Sequence, residues 1–437
     1  IQLNKKYENL TIGSEYEKAE FTYVPEETGV YQLDLATADK AGLTVSLGNE
    51  NEASRFYYGQ DQIQMVLKKD AKYSFYIGCG GEYKRGAYTF SADVKNDINN
   101  AEAFLAQTIQ AKPQEIYITS GGTESDNWAV KIAAEEHRRG HIITTAMEHH
   151  AILKSCEAVE KEGFYVTYIR PAENGIVRLT DIQRAVRPDT FLISVMAANN
   201  EIGTIQPVAQ IGAFARRHRI LFHTDAVQAY TNMDIDVNAM QIDMLSTSAH
   251  KLNGPKGIGF LYIREGCVKT PFIHGGGQER GMRSGTENTA GIIGFAKAAQ
   301  TAMANKPVRT QYEMRMRDYM IHRVLTEIPF SRLNGDRRKR LPGNMNFSFQ
   351  FVDGGTLIVM LDKQGICASA GSACSTGSGM PSHVLKSIGL PDELSFATVR
   401  FTINEEITRQ EIDYVVNCLK NDIAQLREQS EDYQNFL

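Results

Sequence analysis

Apolar and polar residues alternate in short runs over the first hundred residues of the chain. The clearest runs are Glu20–Val24, Gly29–Leu35, Leu43–Leu47, Tyr73–Ile77 and Gly86–Val94. Glycine, asparagine and aspartate stand between these runs, and a period of two with regular turn residues is typical of antiparallel strands. The pattern predicts an all-β, sandwich-like segment over residues 1–96. It contains no cluster of catalytic residues, and its many aromatic residues suit packing in a β-core better than binding of a sugar or partner.

After a join at residues 96–100, short apolar strands alternate with amphipathic helices. We expect strands at His141–Thr145, Phe191–Met196 and Met244–Ser246, and helices at Thr123–Arg139 and Val208–His218. This rhythm is typical of a largely parallel α/β sheet covered by helices on both faces. It predicts a large α/β domain over residues 101–307 and a small α+β domain over residues 308–437. Functional groups in such a sheet lie on loops after the carboxyl ends of the strands.

Composition excludes several classes of protein. The 437 residues are 42% hydrophobic and 23% charged, with a net charge of −5, which gives no general attraction to nucleic acid or to an anionic membrane. No apolar run is long enough to cross a bilayer. The six cysteines are scattered and form no C-x-x-C pair, so neither a metal site nor a disulfide framework is indicated. A reducing cytoplasm is therefore the expected location.

The first motif with chemistry is Thr-Ser-Gly-Gly-Thr-Glu-Ser over residues 119–125, where a strand hands over to a helix. Gly122 and the glycine before it allow a tight backbone turn. The first helical N–H groups and the Thr123 hydroxyl can then hold a phosphate at one point. A capped helix start explains the motif equally well.

A lysine and an acid follow two of the apolar strands. Lys251 stands beside Ser248 and His250, where a lysine can form a Schiff base with an aldehyde while its neighbours hold a phosphate. Asp225 ends an apolar strand, where an acid is costly unless it meets a cation such as a protonated pyridine nitrogen. A solvated lysine and a helix-capping aspartate are the alternatives.

Three further polar groups belong to the candidate site. His149 lies in a strand-to-helix loop and can stack on a flat ring or shuttle a proton. Asn200 follows an apolar strand and can bond a ring hydroxyl or a substrate carboxylate. Arg400 lies within a strand, and its planar fork suits the carboxylate of an amino acid. A packed histidine and an asparagine that caps a turn are the ordinary alternatives.

Glycine-rich segments supply a thiol and two arginines. Cys374 stands among small residues at 369–379, where a thiol is exposed and can swing, whereas Cys418 on an amphipathic helix is of the inert, buried type. The run at residues 274–286 indicates either close backbone packing or a connection between domains, and its arginines favour an anion.

In this combination and order, the motifs resemble those of the cysteine desulfurases, which have the class V aminotransferase fold. The blocks that carry the resemblance are Ser120–Ser125, Asn199–Gly203, Gly276–Gly281 and Gly371–Cys374. The resemblance begins at about Ala101 and implies a fold of the pyridoxal-phosphate-dependent transferase type, together with a homodimer. The family's opening Asp-Asn-Ala-Ala-Thr-Thr-like strand and early helix have no counterpart in residues 1–100. A fusion, an unusual natural variant and an engineered chimera all explain that difference.

The resemblance also implies a role for each residue of the candidate site. It places pyridoxal 5′-phosphate on Lys251, with Asp225 at the ring nitrogen, His149 on the ring face and Gln228 at the ring hydroxyl. The cofactor-binding residues that it implies are Gly122, Thr123, His149, Asn200, Asp225, Gln228, Ser248, His250, Lys251 and the partner subunit's Thr286. It gives the substrate carboxylate to Asn200 and Arg400, and catalysis to Lys251, Cys374 and His149.

The implied activity is conversion of L-cysteine into L-alanine, with the sulfur transferred to Cys374 as a persulfide. A sulfur-acceptor or scaffold protein in iron-sulfur cluster or thio-cofactor assembly would then receive the sulfur. A selenocysteine lyase, or another class V enzyme, is the first alternative, and Cys374 favours the desulfurase. The second alternative is an inactive fusion in which the β segment is a binding or adhesion module, and the full set of cofactor residues argues against it.

Overall fold

The computed structural model describes residues 7–11, 19–24, 29–37, 43–49, 52–58, 62–67, 73–79, 87–91, 94–369 and 381–437. The chain divides into two compact units, Ile1–Ala103 with Gly285–Ala296, and Phe104–Ser284 with Lys297–Leu437. Cys374 and its segment, residues 370–380, lie outside the described residues. The domain boundaries predicted at residues 96, 101 and 307 stay predictions.

The described residues of the first unit form eight strands. They are β1 (Tyr7–Thr11), β2 (Ala19–Tyr23), β3 (Gly29–Thr37), β4 (Leu43–Asn49), β5 (Glu52–Tyr58), β6 (Gln62–Leu67), β7 (Tyr73–Cys79) and β8 (Ala87–Ser91). Every pairing is antiparallel, and the strands form two sheets with the orders β1-β8-β3-β6 and β2-β7-β4-β5. These strands agree with the predicted β segment, while the packing of one sheet on the other, which a sandwich requires, stays a prediction.

Helix α1 (Val94–Gln107) occupies the predicted join between the two parts of the chain. Val94, which we expected to lie in a strand, is instead the first residue of this helix, so this detail of the prediction is wrong. Ile98, Ala101 and Leu105 are buried and recur at helical spacing. The asparagines and aspartate around them read as a turn and concealed that period.

The second unit is built on a seven-stranded sheet. Its strands are β9 (Ile116–Thr119), β10 (His141–Thr145), β11 (Tyr165–Ile169), β12 (Thr190–Ser194), β13 (Leu221–Asp225), β14 (Met244–Ser246) and β15 (Gly259–Ile263). Their order in the sheet is β11-β10-β12-β13-β14-β15-β9. β15 is antiparallel to both of its neighbours, so the other six strands share one direction. The predicted, largely parallel α/β sheet is confirmed, and the carboxyl ends of six strands meet at one edge.

Helices connect these strands and lead into a second, smaller sheet. The remaining helices are α2 (Gly122–His137), α3 (His150–Lys161), α4 (Leu179–Ala185), α5 (Val208–His218), α6 (Thr289–Ala304), α7 (Lys306–Glu327), α8 (Gly354–Lys363), α9 (His383–Ser387), α10 (Asp392–Phe396), α11 (Arg409–Glu428) and α12 (Glu431–Phe436). The small sheet is antiparallel and has the order β16 (Ser331–Leu333), β17 (Asn344–Phe349), β18 (Thr398–Thr402). Among the described helices, none is long and apolar enough to cross a membrane.

The large sheet is buried on both faces. Every residue of β10, β12 and β15 is buried, which is the environment that continuous apolar strands require. Trp128 of α2 anchors one face: it is fully buried and stacks on Phe272 with ring centroids 5.4 Å apart. A separate core, which includes Val324, Phe347 and Leu419, packs α7 and α11 onto the small sheet. The large sheet, whose edge carries the polar loops, is therefore packed on both faces.

Gly259 at the start of β15 brings two functional loops together. A Cβ atom at this position would lie 2.4 Å from the carbonyl oxygen of Thr247 and 2.8 Å from Cα of Gly121. Only a glycine allows the loop after β9 and the loop after β14 to come this close.

We predict that Gly259→Ala lowers the stability of the protein, because the added methyl group meets backbone atoms that cannot move aside cheaply. Overpacking of this kind costs about 1–3 kcal/mol and lowers the thermal unfolding midpoint by several degrees. Gly277→Ala is the matched control, since nothing lies within 4 Å of its Cβ position. Equal midpoints for the two variants in calorimetry would contradict the close approach of the loops.

Candidate active site

Asp225 and Lys251 follow neighbouring strands at the polar edge of the sheet. Asp225 ends β13 and is paired in register with Ser246, which ends β14. Its carboxyl is 6% exposed and accepts a hydrogen bond from the Val227 backbone N–H at 2.9 Å. Burial raises the pKa of Asp225 to about 6, although that hydrogen bond and the Lys251 ammonium act to lower it. Lys251 itself is exposed, in a short 3₁₀ turn at Ala249–Leu252.

The start of α2 forms a cradle beside this pair. Gly121 has a φ of 143° and does not cap the helix with a side chain, so the first helical N–H groups stay available. A Cβ on Gly121 would lie 3.4 Å from Ser248 Oγ, and one on Gly122 would lie 2.7 Å from Val227 Cγ2. The Ser248 hydroxyl lies 2.8 Å from Nδ1 of His250. The start of α2, Ser248 and His250 therefore lie close together, and the exposed Thr123 follows Gly122 in the helix.

Arg283, one of the two arginines of the glycine-rich run, has its anionic partner, Glu124, within the protein. Nε and a terminal nitrogen of Arg283 donate to the two Glu124 oxygens at 2.8 and 3.1 Å, and the Ser120 N–H donates to the same carboxylate at 2.7 Å. Burial acts to raise the pKa of Glu124, but the bonds from Arg283 and Ser120 outweigh it and lower the pKa. The run therefore braces the start of α2, a contact that the sequence does not reveal.

His149 is held as a particular tautomer. It is the N-cap of α3, and its Nδ1 accepts the Ala151 backbone N–H at 3.2 Å, so the proton of the neutral ring is on Nε2. Burial is the main cause that lowers the pKa of His149, followed by the charges of His150, Lys251 and His383. The predicted catalytic histidine thus lies within electrostatic reach of the predicted catalytic lysine.

Asn200 and Arg400 meet where the small sheet faces the large one. A terminal nitrogen of Arg400 donates to the Asn200 carbonyl at 2.9 Å. Arg400 also exchanges two backbone hydrogen bonds with Ser369, at 3.1 and 2.7 Å. At the other end of the undescribed segment, Ser382 Oγ donates to the buried carboxylate of Glu201 at 2.6 Å. Both ends of the segment that carries Cys374 are therefore attached beside the predicted carboxylate-binding residues.

Within the part of the chain that the structure describes, two of the predicted residues make no contact that ties them to this site. Gln228 is half-buried in the turn after β13, and its carbonyl accepts a bond from Asn232 at 3.0 Å. Thr286 is exposed. Their predicted roles stay predictions. No group of three or more metal-ligating side chains occurs among the residues that the structure describes.

Three buried ionisable residues behind the site were missed in the sequence. Both ring nitrogens of His223 are hydrogen-bonded to serines, Ser194 and Ser246, at 2.9 Å each, and burial lowers its pKa to about 3. Asp126 is completely buried, 3.8 Å from His223, and burial raises its pKa well above the usual value, as does the charge of Asp225. Burial also raises the pKa of Glu148 to about 8. For His223, its place directly after the apolar run 220–222 was the available signal.

The sequence is similar to those of known proteins. Residues 62–415 match the family described as aminotransferase class-V, a match that begins before residue 101, where we placed the start of the resemblance. Cysteine desulfurase IscS of Clostridium botulinum is 48% identical over 354 residues, which are 80% of this chain and 89% of that protein.

Solved structures give the same result. A NifS-like protein aligns with a TM-score of 0.70 and 34% identity, over 76% of this chain and 88% of its own. The structure of SspA in complex with cysteine aligns with a TM-score of 0.63 and 36% identity, over 72% and 88% of the two chains.

We predict that Glu148→Gln changes the pH dependence of stability. Burial raises the pKa of Glu148 from 4.5 to about 8. Its contribution to the free energy of unfolding is therefore fully present below pH 4.5 and is lost as the pH rises to 8. Relative to Glu148→Gln, the wild type should lose up to about 1.4 kcal/mol of unfolding free energy per pH unit in that window. Urea unfolding at several pH values measures this difference, with the exposed Glu162→Gln as control. Parallel curves for the wild type and Glu148→Gln would contradict a neutral, buried Glu148.

Proposed function

Because the chain belongs to the class V aminotransferase family, and within it to the cysteine desulfurases, we propose that it moves sulfur from L-cysteine to Cys374 and releases L-alanine. The observation that carries the proposal is a buried acid, Asp225, within electrostatic reach of Lys251, together with an uncapped helix start. The alternative of an inactive chain has no support in this site. A role of residues 1–96 as a binding or adhesion module stays a prediction.

The residues of the site fit pyridoxal 5′-phosphate. A phosphate needs several donors at one point, and the first N–H groups of α2, Thr123, Ser248 and His250 supply them. Gly122 leaves room that a Cβ would fill, since that atom would lie 2.7 Å from Val227. Asp225 would pair with the ring nitrogen, and Lys251 would bind the aldehyde carbon covalently.

The remaining cofactor contacts are carried over from the family pattern. His149 would lie on the face of the ring. Gln228 would bond the ring hydroxyl, and Asn200 would also contact the cofactor. The partner subunit's Thr286 would complete the phosphate site, which requires a homodimer. These assignments rest on the family pattern and on the gathering of the described residues at one edge of the sheet.

Bound pyridoxal phosphate supplies an electron sink that weakens the bonds to the substrate Cα. The chain's own residues supply the rest of the chemistry. Lys251, as a free amine after substrate binds, removes the Cα proton, and the ionised Asp225 keeps a proton on the ring nitrogen. His149, with its proton on Nε2, would donate from that nitrogen to the substrate on the other side.

Arg400 and Asn200 would orient the substrate through its carboxylate. The Arg400 guanidinium is already fixed by its bond to the Asn200 carbonyl, so little freedom is lost on binding. This arrangement would select an α-amino acid.

The sulfur transfer balances without an external oxidant or reductant. The Cys374 thiolate attacks the sulfur of the substrate, an S–S bond forms, and the C–S bond of the substrate breaks. L-cysteine and the Cys374 thiol give L-alanine and the Cys374 persulfide. A sulfur-acceptor or scaffold protein would then receive the outer sulfur. A free thiol is required for each cycle, which suits a reducing cytoplasm.

We predict that Cys374→Ser abolishes release of sulfide and alanine from L-cysteine in the presence of a thiol reductant, while the visible spectrum of the bound cofactor is kept. Cys367→Ser is the matched control, because Cys367 is an exposed free cysteine seven positions away, and it should keep its activity. Sulfide production by Cys374→Ser would overturn the role of Cys374. The same assay with L-selenocysteine tests the alternative lyase: selenide release that does not depend on Cys374 would identify a different primary substrate.

A further inference from the structure

Three histidines from two distant parts of the chain meet at the edge of the candidate site. His149 and His150 stand at the start of α3, and His383 begins α9. The ring centroids of His150 and His383 are 4.6 Å apart, and those of His149 and His150 are 6.5 Å apart. The proposed function uses only His149.

Hydrogen bonds fix how two of these rings hold their protons. His383 donates from Nε2 to the Glu148 carbonyl oxygen at 2.9 Å, so its position is tied to the residue that precedes His149. His149 accepts the Ala151 N–H on Nδ1. Protonation of that Nδ1 would remove the helix cap and place a positive charge at the positive end of the α3 dipole. The geometry alone therefore favours a neutral His149.

The charges that face His149 all act to lower its pKa. Lys251 faces His149 from the turn after β14, and Lys154 of α3 faces His150. Glu201 and Glu157 face His150 and favour its charge. Burial is the first cause that lowers the pKa of each histidine, and the Glu148 carbonyl acts against it at His383.

Within this arrangement a charge on one ring disfavours a charge on the next. His150 and His383 each act to lower the pKa of His149, and His383 also acts to lower that of His150. The ring centroids are close enough for this repulsion in a partly buried place. Half-buried His150 is the ring that two carboxylates face, so it is the better place for a positive charge.

We propose that His150 and His383 are positioning residues that keep His149 neutral, with its proton on Nε2, by carrying positive charge in its place as the pH falls. This inference rests on the proposed function, in which His149 presents Nε2 to the substrate. Its consequence is a reaction that continues to lower pH than a solitary histidine would allow.

The test is an NMR titration of the histidine rings in the full-chain holoenzyme labelled with isotopic histidine. His149→Gln identifies the signal of His149. We expect His383→Gln to raise the His149 titration midpoint, and His150→Gln/His383→Gln to raise it further, by about threefold or more in proton affinity. His322→Gln on α7 is exposed and serves as control. An unchanged midpoint in the double variant overturns the inference.

A second comparison separates the ring charge from the hydrogen bond. His383→Gln keeps a donor for the Glu148 carbonyl, whereas His383→Phe keeps only the ring shape. Equal upward shifts in both variants support the inference, and a shift in His383→Phe alone overturns it. Should His383 variants fail to fold, the exposed edge of His150 allows His150→Gln to carry the same test.

The acidic limb of the pH profile of kcat/KM gives an independent readout. It should move upward with the His149 midpoint in the same variants. An NMR shift without turnover of L-cysteine at any pH would defeat the proposed function and leave this inference standing. Turnover of the wild type with an unmoved NMR midpoint would do the reverse.

Discussion

The buried carboxyl of Asp225 is the constraint around which the site is organised. An acid at the end of a buried strand is costly unless a cation meets it, and the charge of Lys251, on the loop after the adjacent strand, acts to lower the pKa of Asp225. Six strands share one direction, so their loops reach this edge together. Gly259 and Gly121 let two of those loops touch, which places the start of α2 beside Ser248. The proposed phosphate cradle and the proposed covalent lysine therefore lie at the same edge of the sheet.

The ionisable groups buried behind the sheet edge are neutral, which leaves Asp225 as the ionised acid at this edge. His223 stays uncharged because burial lowers its pKa to about 3, and Asp126 and Glu148 keep their protons because burial raises theirs. Charge is instead present where the chain is open, at Lys251 and at the rim that Arg400 shares with Asn200. Because buried charges without partners are costly, this distribution stabilises the fold. It also leaves the negative charge of Asp225 available to a cationic ring nitrogen.

The sequence predicts the large sheet well because period and strand length are local properties, and it places Asp225, Lys251 and His149 at strand ends, where the structure has them. Contacts between distant segments were not predictable: neither the bond of Arg283 to Glu124 nor that of His383 to the Glu148 carbonyl leaves a local signal. The helix through the expected join was missed because its asparagines imitate a turn. Cys374 lies outside the described residues, so its role rests on sequence alone.

Covalent trapping of the cofactor tests the central claim most directly. The purified holoenzyme is reduced with borohydride, digested, and analysed by mass spectrometry, with Lys256→Ala as a control for a neighbouring lysine. The account predicts one pyridoxyl-phosphate adduct, on Lys251, and its complete loss in Lys251→Ala. An adduct on another lysine, or a wild-type protein that takes up no pyridoxal phosphate, would contradict the assignment of this sheet edge as the active site.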